Sequence, residues 1–382
     1  MKRAFLFLVR ALAFLVLVLL AAEGLLRIGM FFKDPVEAKT EQYQQAVYSR
    51  LYGQWLRQET SDPFLPPFLV YSNRDFGSGE RLRKIFETTR LTSSRSWKSY
   101  DFIRGEGIGP YSIHSNALGF RGREHSREKP AGKKRVIVLG SYQAFGHGVE
   151  DEEAYPAQLE RLLGSEYEVW NGGRHAASAI IGLARLRFEI FDYKPDALVL
   201  DYGFVDTLVL DDNFFPVALR FPDTKPYLLL RWLVRPLASL TARSLLWTQF
   251  RLGYAQRKRA EHSKNFEEVM GAMLDLAEQH KVPVILVRTF PTEPYLKEIF
   301  VRLAQGPVSF VDTAEVFSKH PPLPDEIGDW VEEIDPVARA RFSFSAYRLN
   351  MLQLNARGNR VLAEALARET VRILDARKIR AK

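Results

Sequence analysis

The residues best placed to do chemistry fall in one Gly-rich turn, "VIVLGSYQAFGHGVEDE" at residues 136 to 152. Ser141 and Tyr142 carry hydroxyls directly after a β-branched run, and His147 follows between two glycines. A hydroxyl on a sharp strand-to-helix turn suits covalent ester hydrolysis. That chemistry also needs a base for the proton, a group to orient the base, and donors for the oxyanion. Two later turns could supply some of these. "NGG" at 171–173 offers backbone N–H groups and is followed by Arg174 and His175, and "DYGFVD" at 201–206 carries Asp206. Ser141 could pair with His147 or His175. Tyr142 is a weak nucleophile, because a phenol titrates near ~10 and needs a base that the turn's spacing does not supply. The plainer readings are a hydrogen-bonded or solvent-exposed loop residue for His147 and a surface residue for His175, which with Arg174 could also bind an anion.

Other chemistries are excluded by composition and spacing. The chain has no cysteine, so disulfides, thiolate metal sites and a Cys nucleophile are ruled out. The seven histidines are scattered, and none pairs with another His or a carboxylate at a metal-ligand spacing. "GHGVEDEE" lacks the alternating oxygen ligands of a calcium loop. The turn at 140–148 has neither the Lys-Ser/Thr of a phosphate loop nor GxGxxG spacing. No cofactor and no metal are expected. The net charge of +8 is spread over many arginines, which speaks against nucleic acid and is better suited to an anionic membrane surface.

The elements that must position these turns alternate. "KRVIVLG" reads as a fully buried strand and "EAYPAQLERLLG" as an amphipathic helix. The pattern repeats through "YEVWNGG", "AIIGLARLRFEIF", "PDALVLDYG", "FEEVMGAMLDLAEQH", "VPVILVRTF" and "VSFVDTAEVF", and closes with "GNRVLAEALARETVRIL". Such alternation predicts a parallel sheet covered on both faces, with any site at the carboxyl ends of the strands. "YSIHSNALGFRG" at 111–122 alternates like an edge strand or hairpin.

Outside this rhythm, Lys2 and Arg3 precede an apolar run from Ala4 to Ala22 broken only by Arg10. The run is long enough to span a bilayer, and the N-terminal charge places its short end in the cytoplasm. An uncleaved anchor is preferred to a signal peptide, for which Leu20, Ala21 and Ala22 make a poor cleavage site. Residues 36–57 have helical spacing suited to a stalk, and the weakly patterned segment from 68 to about 109 reads as a connecting segment or a small cap. An insertion at 207–264 carries the apolar "YLLLRWLVRPLASLTARSLLWTQF". Arg231, Arg235 and Arg243 argue against a second span. A helical hairpin on the domain or the membrane surface, or an ordinary core helix pair, fits better.

The order of turns resembles the SGNH (GDSL-type) hydrolase family in its membrane-anchored bacterial form. The resemblance covers roughly residues 111–375 and rests on "NALGFRGRE", "VLGSYQAFGHGVEDEEAYPAQLE", "NGG", "PDALVLDYGFVD" and "LNARGNRVLAEAL". It implies a three-layer, flavodoxin-like α/β sheet. In that family the first turn reads Gly-Asp-Ser, the second gives a Gly amide, the third an Asn, and the last block Asp-x-x-His. On this chain Gly140 matches, but Ser141 and Tyr142 stand at the Asp and nucleophile positions. Gly172 and Gly173 fall where an amide donor is expected, Val205 replaces the oxyanion Asn with Asp206 after it, and Asn350 and Gln353 replace Asp and His. Gln353 cannot carry a proton near neutral pH, and Val205 removes a donor.

Taken together, the sequence predicts an anchor at 1–32, a stalk and connection at 33–110, and an SGNH-like domain at 111–376 with its insertion at 207–264. The expected protein is a single-pass pseudoenzyme of the cytoplasmic membrane with its main domain extracytoplasmic, in the periplasm. It would bind a carbohydrate or lipid-linked ligand in the pocket formed by the residues from Gly140 to Tyr142, Gly172, Gly173, Val205, Asp206, Asn350 and Gln353, or join an integral-membrane partner in an envelope assembly. The alternative is an esterase or O-acyltransferase acting on envelope polysaccharide through a shifted nucleophile, Ser141.

Overall fold

The computed structural model describes residues 2–31, 79–90, 95–101, 108–174, 177–203, 206, 263–289, 294–320 and 354–380. Helix α1 (Lys2–Phe31) is continuous in backbone, with its side chains described at only part of its positions. Among those, Phe7, Phe14, Leu17, Leu20 and Leu25 are exposed. Among the described residues no helix is long and apolar enough to cross a membrane. The stalk at 36–57 lies outside the described residues, as does all of the insertion except its last two residues.

Residues 79–110, expected as a connecting segment or a small cap, contain regular structure. Helix α2 (Gly79–Thr89) buries Leu82, Ile85 and Phe86. Strand β1 (Arg95–Asp101) pairs antiparallel with β2 (Ile108–Ser115), Trp97 opposite Ile113. The folded domain therefore begins before residue 111. Arg and Lys between the apolar positions of α2 hide its helical period, yet Arg83 lies over the Phe188 ring at 4.7 Å, so its aliphatic stem extends the packing.

The remaining elements alternate as the sequence pattern requires. They are β3 (Lys134–Gly140), α3 (Tyr142–Phe145), α4 (Tyr155–Leu163), β4 (Tyr167–Asn171), α5 (Ala179–Phe188) and β5 (Ala197–Asp201). A helix at 263–279, here α6, leads to β6 (Val284–Arg288), α7 (Pro294–Leu303), β7 (Val308–Asp312), α8 (Thr313–Ser318) and α9 (Ala356–Arg380). The strands form a parallel five-stranded sheet in the order β4-β3-β5-β6-β7. This is the flavodoxin-like order, whose switch point falls between β3 and β5.

The period-2 alternation of β3 sends Ile137 and Leu139 to one face and Val136 and Val138 to the other. The first face packs against α2, α5, α6 and α7 through Ile85, Leu183, Met273 and Phe300. The second packs against α4, α8 and α9 through Leu159, Phe317 and Leu366. Covered on both faces, the strands can be continuous apolar runs, which is why "VIVL" and "VILV" are so legible.

Candidate functional site

The turn after β3 is built by close backbone approach. A Cβ on Gly140 would stand 2.5 Å from the Asp201 carbonyl oxygen, so only glycine fits. The Ser141 amide donates to that same oxygen at 3.1 Å, and the Phe145 amide closes the single turn of α3 onto the Ser141 carbonyl at 2.9 Å. Gly146, at φ 82°, ends it in the left-handed region. Ser141 is left 1% exposed, and its Oγ has no hydrogen-bond partner among the described residues.

Tyr142 is partly exposed at the start of α3. His147 stands edge-on to it with ring centroids 5.8 Å apart, and edge-on to Tyr111 at 5.7 Å. The Tyr111 hydroxyl and His147 Nδ1 are 3.0 Å apart. His147 is thus the hydrogen-bonded loop residue that its sequence position suggested. Sequence reasoning missed Tyr111, because 36 residues separate it from His147 and only the β2 alternation points it inward.

The glycines of the second turn do not present their amides as the sequence suggested. The Gly172 N–H donates to the Val138 carbonyl at 2.8 Å, and the Gly173 N–H to Asn171 Oδ1 at 3.0 Å. Both are consumed by the fold. A Cβ on Gly173 would meet Phe145 N at 2.3 Å, so this glycine serves close packing against α3. The amide of Arg174 donates to the Gly140 carbonyl at 2.9 Å. The Arg174 guanidinium donates to the Gly119 carbonyl, and burial, with Arg185 beside it, pulls its pKa down to about 9.

Asp206 accepts from the Ala179 amide at 2.8 Å and the Gly203 amide at 2.9 Å, which ties the third turn to the start of α5. Asp201, at the end of β5, accepts from Thr289 Oγ1 at 2.7 Å and the Tyr155 hydroxyl at 3.2 Å. Burial and Asp201 hold the Tyr155 phenol well above its ordinary pKa, which keeps it a donor. Val205, Asn350, Gln353 and His175 lie outside the described residues.

Two of the sequence motifs are structural clasps. Asn116 Oδ1 accepts from the Leu118 and Phe120 amides at 3.0 and 2.9 Å, folding "NALGF" into a turn. Buried Arg121 then reaches Asp151 through Nε at 2.6 Å and the carbonyls of Phe145, Gly146 and Val149 at 2.7, 2.5 and 2.6 Å. At the other end of the chain, Asn359 accepts from the Tyr155 amide at 2.9 Å and donates to the Leu354 carbonyl at 3.0 Å, docking α9 on α4. A groove of about 690 Å³ between these two helices is lined by Glu152, Arg161, Arg357 and Arg360 among others, and does not reach the β3 turn. Among the described residues no cluster of His, Asp and Glu could hold a metal ion.

Fold and turn together define a parallel α/β protein with its elaborated turns at the carboxyl ends of the central strands. No family model matches the chain. No curated protein matches it either. Solved structures to which it is similar are GDSL or SGNH hydrolases. One is a GDSL-like lipase from Bacteroides thetaiotaomicron VPI-5482, 12% identical over 64% of this chain and 89% of that one, with a TM-score of 0.35. A second is the acetyl xylan esterase AlAXEase, 13% identical over 61% and 97%, TM-score 0.38. A third is AlinE4, an SGNH-hydrolase family esterase, 17% identical over 56% and 99%, TM-score 0.32.

Proposed function

We propose that this protein is a non-hydrolytic SGNH-like domain that binds a ligand at the remnant of a hydrolase site or serves as a subunit of a membrane-bound envelope assembly. The observation that carries this reading is the state of the β3 turn. Its one aliphatic hydroxyl, on Ser141, is buried and bonded to no base among the described residues, and the Gly172 and Gly173 amides are both committed inside the fold. Covalent catalysis needs that hydroxyl paired with a base and those donors aimed outward. The aromatic Tyr142 at the family's nucleophile position, with Val205, Asn350 and Gln353 at the other catalytic positions, supports the same reading.

In this proposal α1 anchors the chain in the cytoplasmic membrane, with the α/β domain on the extracytoplasmic side. The apolar run from Ala4 to Ala22 and the charges at Lys2 and Arg3 support that orientation. Arg10 would snorkel toward the cytoplasmic surface, since helical side chains lean toward the N-terminus.

The test is turnover of p-nitrophenyl acetate and acetylated xylan by the full chain, compared with Ser141→Ala. The expected result is no turnover above buffer for either protein. Turnover by the wild type that Ser141→Ala abolishes would establish the esterase or O-acyltransferase instead. Retention in the membrane fraction after an alkaline wash, with the α/β domain open to protease from outside, is expected of the anchor; release by the wash would contradict it.

A further inference from the structure

We propose that the amino-end rim of the parallel sheet, where helices end and strands begin, docks on an anionic phospholipid surface and so turns the β3 turn away from the bilayer. The assignment rests on the membrane-anchored reading above for the membrane it names. Arg187 in the last turn of α5, Lys194 ahead of β5, Lys281 ahead of β6 and Arg368 on α9 are all exposed. None of the four has a carboxylate partner among the described residues. The Lys133 ammonium, just before β3, donates to the Ser165 carbonyl rather than to an acid.

Two features gather these cations on one surface. Phe191 and His280 stack at 3.8 Å with 4° between their planes, which brings together the turns that carry Lys194 and Lys281. Helix α9 then runs past the sheet. Arg372 Nη2 donates to Ser309 Oγ at 2.8 Å near the start of β7, and Leu374 is 5% exposed. From Leu374 to Arg380 the backbone continues for roughly 9 Å of helix. That stretch bears Arg377, Lys378 and Arg380 against one acid, Asp375. Glu128, Glu166 and Glu278 lie on the same rim and are outnumbered by its cations.

Backbone geometry argues that the lysines are there for their charge. Among the described residues, Lys194 and Lys281 are the two non-glycine positions at positive φ, 52° and 56°. Each follows a helical segment, at a place that glycine occupies without steric cost. A cation there gains from the helix dipole, but by less than the left-handed backbone costs a residue with a Cβ. The fold alone therefore favours glycine at both positions, whereas attraction to an anionic surface favours lysine. At the opposite end of the sheet Arg121, Arg174 and Arg288 are buried, while Glu152 and Glu153 are exposed on the loop after the β3 turn. The same lipid repels that loop, so charge sets the orientation as well as the contact.

The chain has no cysteine, which allows a single label to be placed at either end. The full chain is reconstituted, domain outward, in phosphatidylcholine vesicles with or without phosphatidylglycerol, all carrying a headgroup quencher. The fluorophore sits on Gln305→Cys at the rim or on Glu152→Cys at the carboxyl end, both exposed positions. With phosphatidylglycerol the rim label is expected to be quenched at least about twofold more than without it, and the difference to vanish in about 0.5 M salt. The carboxyl-end label is expected not to respond. Lys194→Glu with Lys281→Glu should abolish the difference, and Lys194→Arg with Lys281→Arg should keep it, which separates lost charge from misfolding. Equal quenching of the rim label in both lipids, an equal or larger response of the carboxyl-end label, or a response kept by the glutamate pair would overturn the proposal. A chain that an alkaline wash releases, yet whose rim label still responds to anionic vesicles in a salt-sensitive way, would overturn the anchor alone. A chain that survives the wash with no lipid-dependent response would overturn the rim alone.

Discussion

Arg121 and Asp151 form a buried pair, Nε to Oδ1 at 2.6 Å, that joins the β2 exit to the loop following the β3 turn. Breaking it leaves a carboxylate buried without its cation and three carbonyls without their donor. Arg121→Met is therefore expected to lower the stability of the α/β domain by about 3–5 kcal/mol. Chemical denaturation monitored by tryptophan fluorescence measures this. A loss below about 1 kcal/mol, the size of a surface pair, would remove the clasp from the account.

Two glycines with opposite surroundings should respond oppositely to alanine. At Gly173 the new Cβ meets backbone atoms of α3 that cannot yield, and a loss of about 1–3 kcal/mol is expected. Gly271 lies within α6, where a Cβ meets nothing within 4 Å, and Gly271→Ala should gain up to about 1 kcal/mol from helix propensity. Melting temperatures of the pair check both signs.

Asp206 holds two amides, those of Ala179 and Gly203. Asp206→Ala should cost about 1–2 kcal/mol, as the loss of a helix-start acceptor does, and Asp206→Asn should recover part of it because the amide oxygen still accepts. Denaturation midpoints of the two variants provide the comparison. Equal loss in both would mean that charge rather than hydrogen bonding is what matters there.

His125 stacks on Trp170 at 5.0 Å, and burial, then Arg123 and Arg135, pull its pKa down to about 3 from an ordinary value near 6.5. The unfolded chain binds this proton below about pH 6.5 while the folded chain refuses it until about pH 3. The stabilisation is therefore complete above pH 6.5 and lost as pH falls toward 3. His125→Phe, which keeps the stack, should flatten the acid side of the melting-temperature profile. An unchanged slope would exclude His125 as its source.

The sheet was legible because strands covered on both faces must be apolar throughout, and "VIVL", "ALVL" and "VILV" satisfy that without ambiguity. Helix α2 was not, because its apolar residues are separated by charged ones, of which Arg83 joins the packing through its stem. The β3 turn was located correctly by its glycine spacing, and the reason for Gly140 emerges only from the Asp201 carbonyl lying against it. Whether the Gly172 amide was free could not be read from "NGG", since its acceptor, Val138, is set by strand register; the Gly173 amide, by contrast, closes on Asn171 Oδ1 two residues back, a turn local to the motif. Tyr111 was invisible for a similar reason: nothing local to residue 111 announces contact with residue 147.

The central claim is that the β3 turn does no covalent chemistry. Exposing the full chain to a fluorophosphonate probe and mapping adducts by peptide mass spectrometry tests it most directly. The account predicts no adduct on Ser141, whose Oγ is buried and bonded to no base among the described residues. A stoichiometric adduct on Ser141, lost in Ser141→Ala, would contradict it and show that the chemistry has moved by one residue.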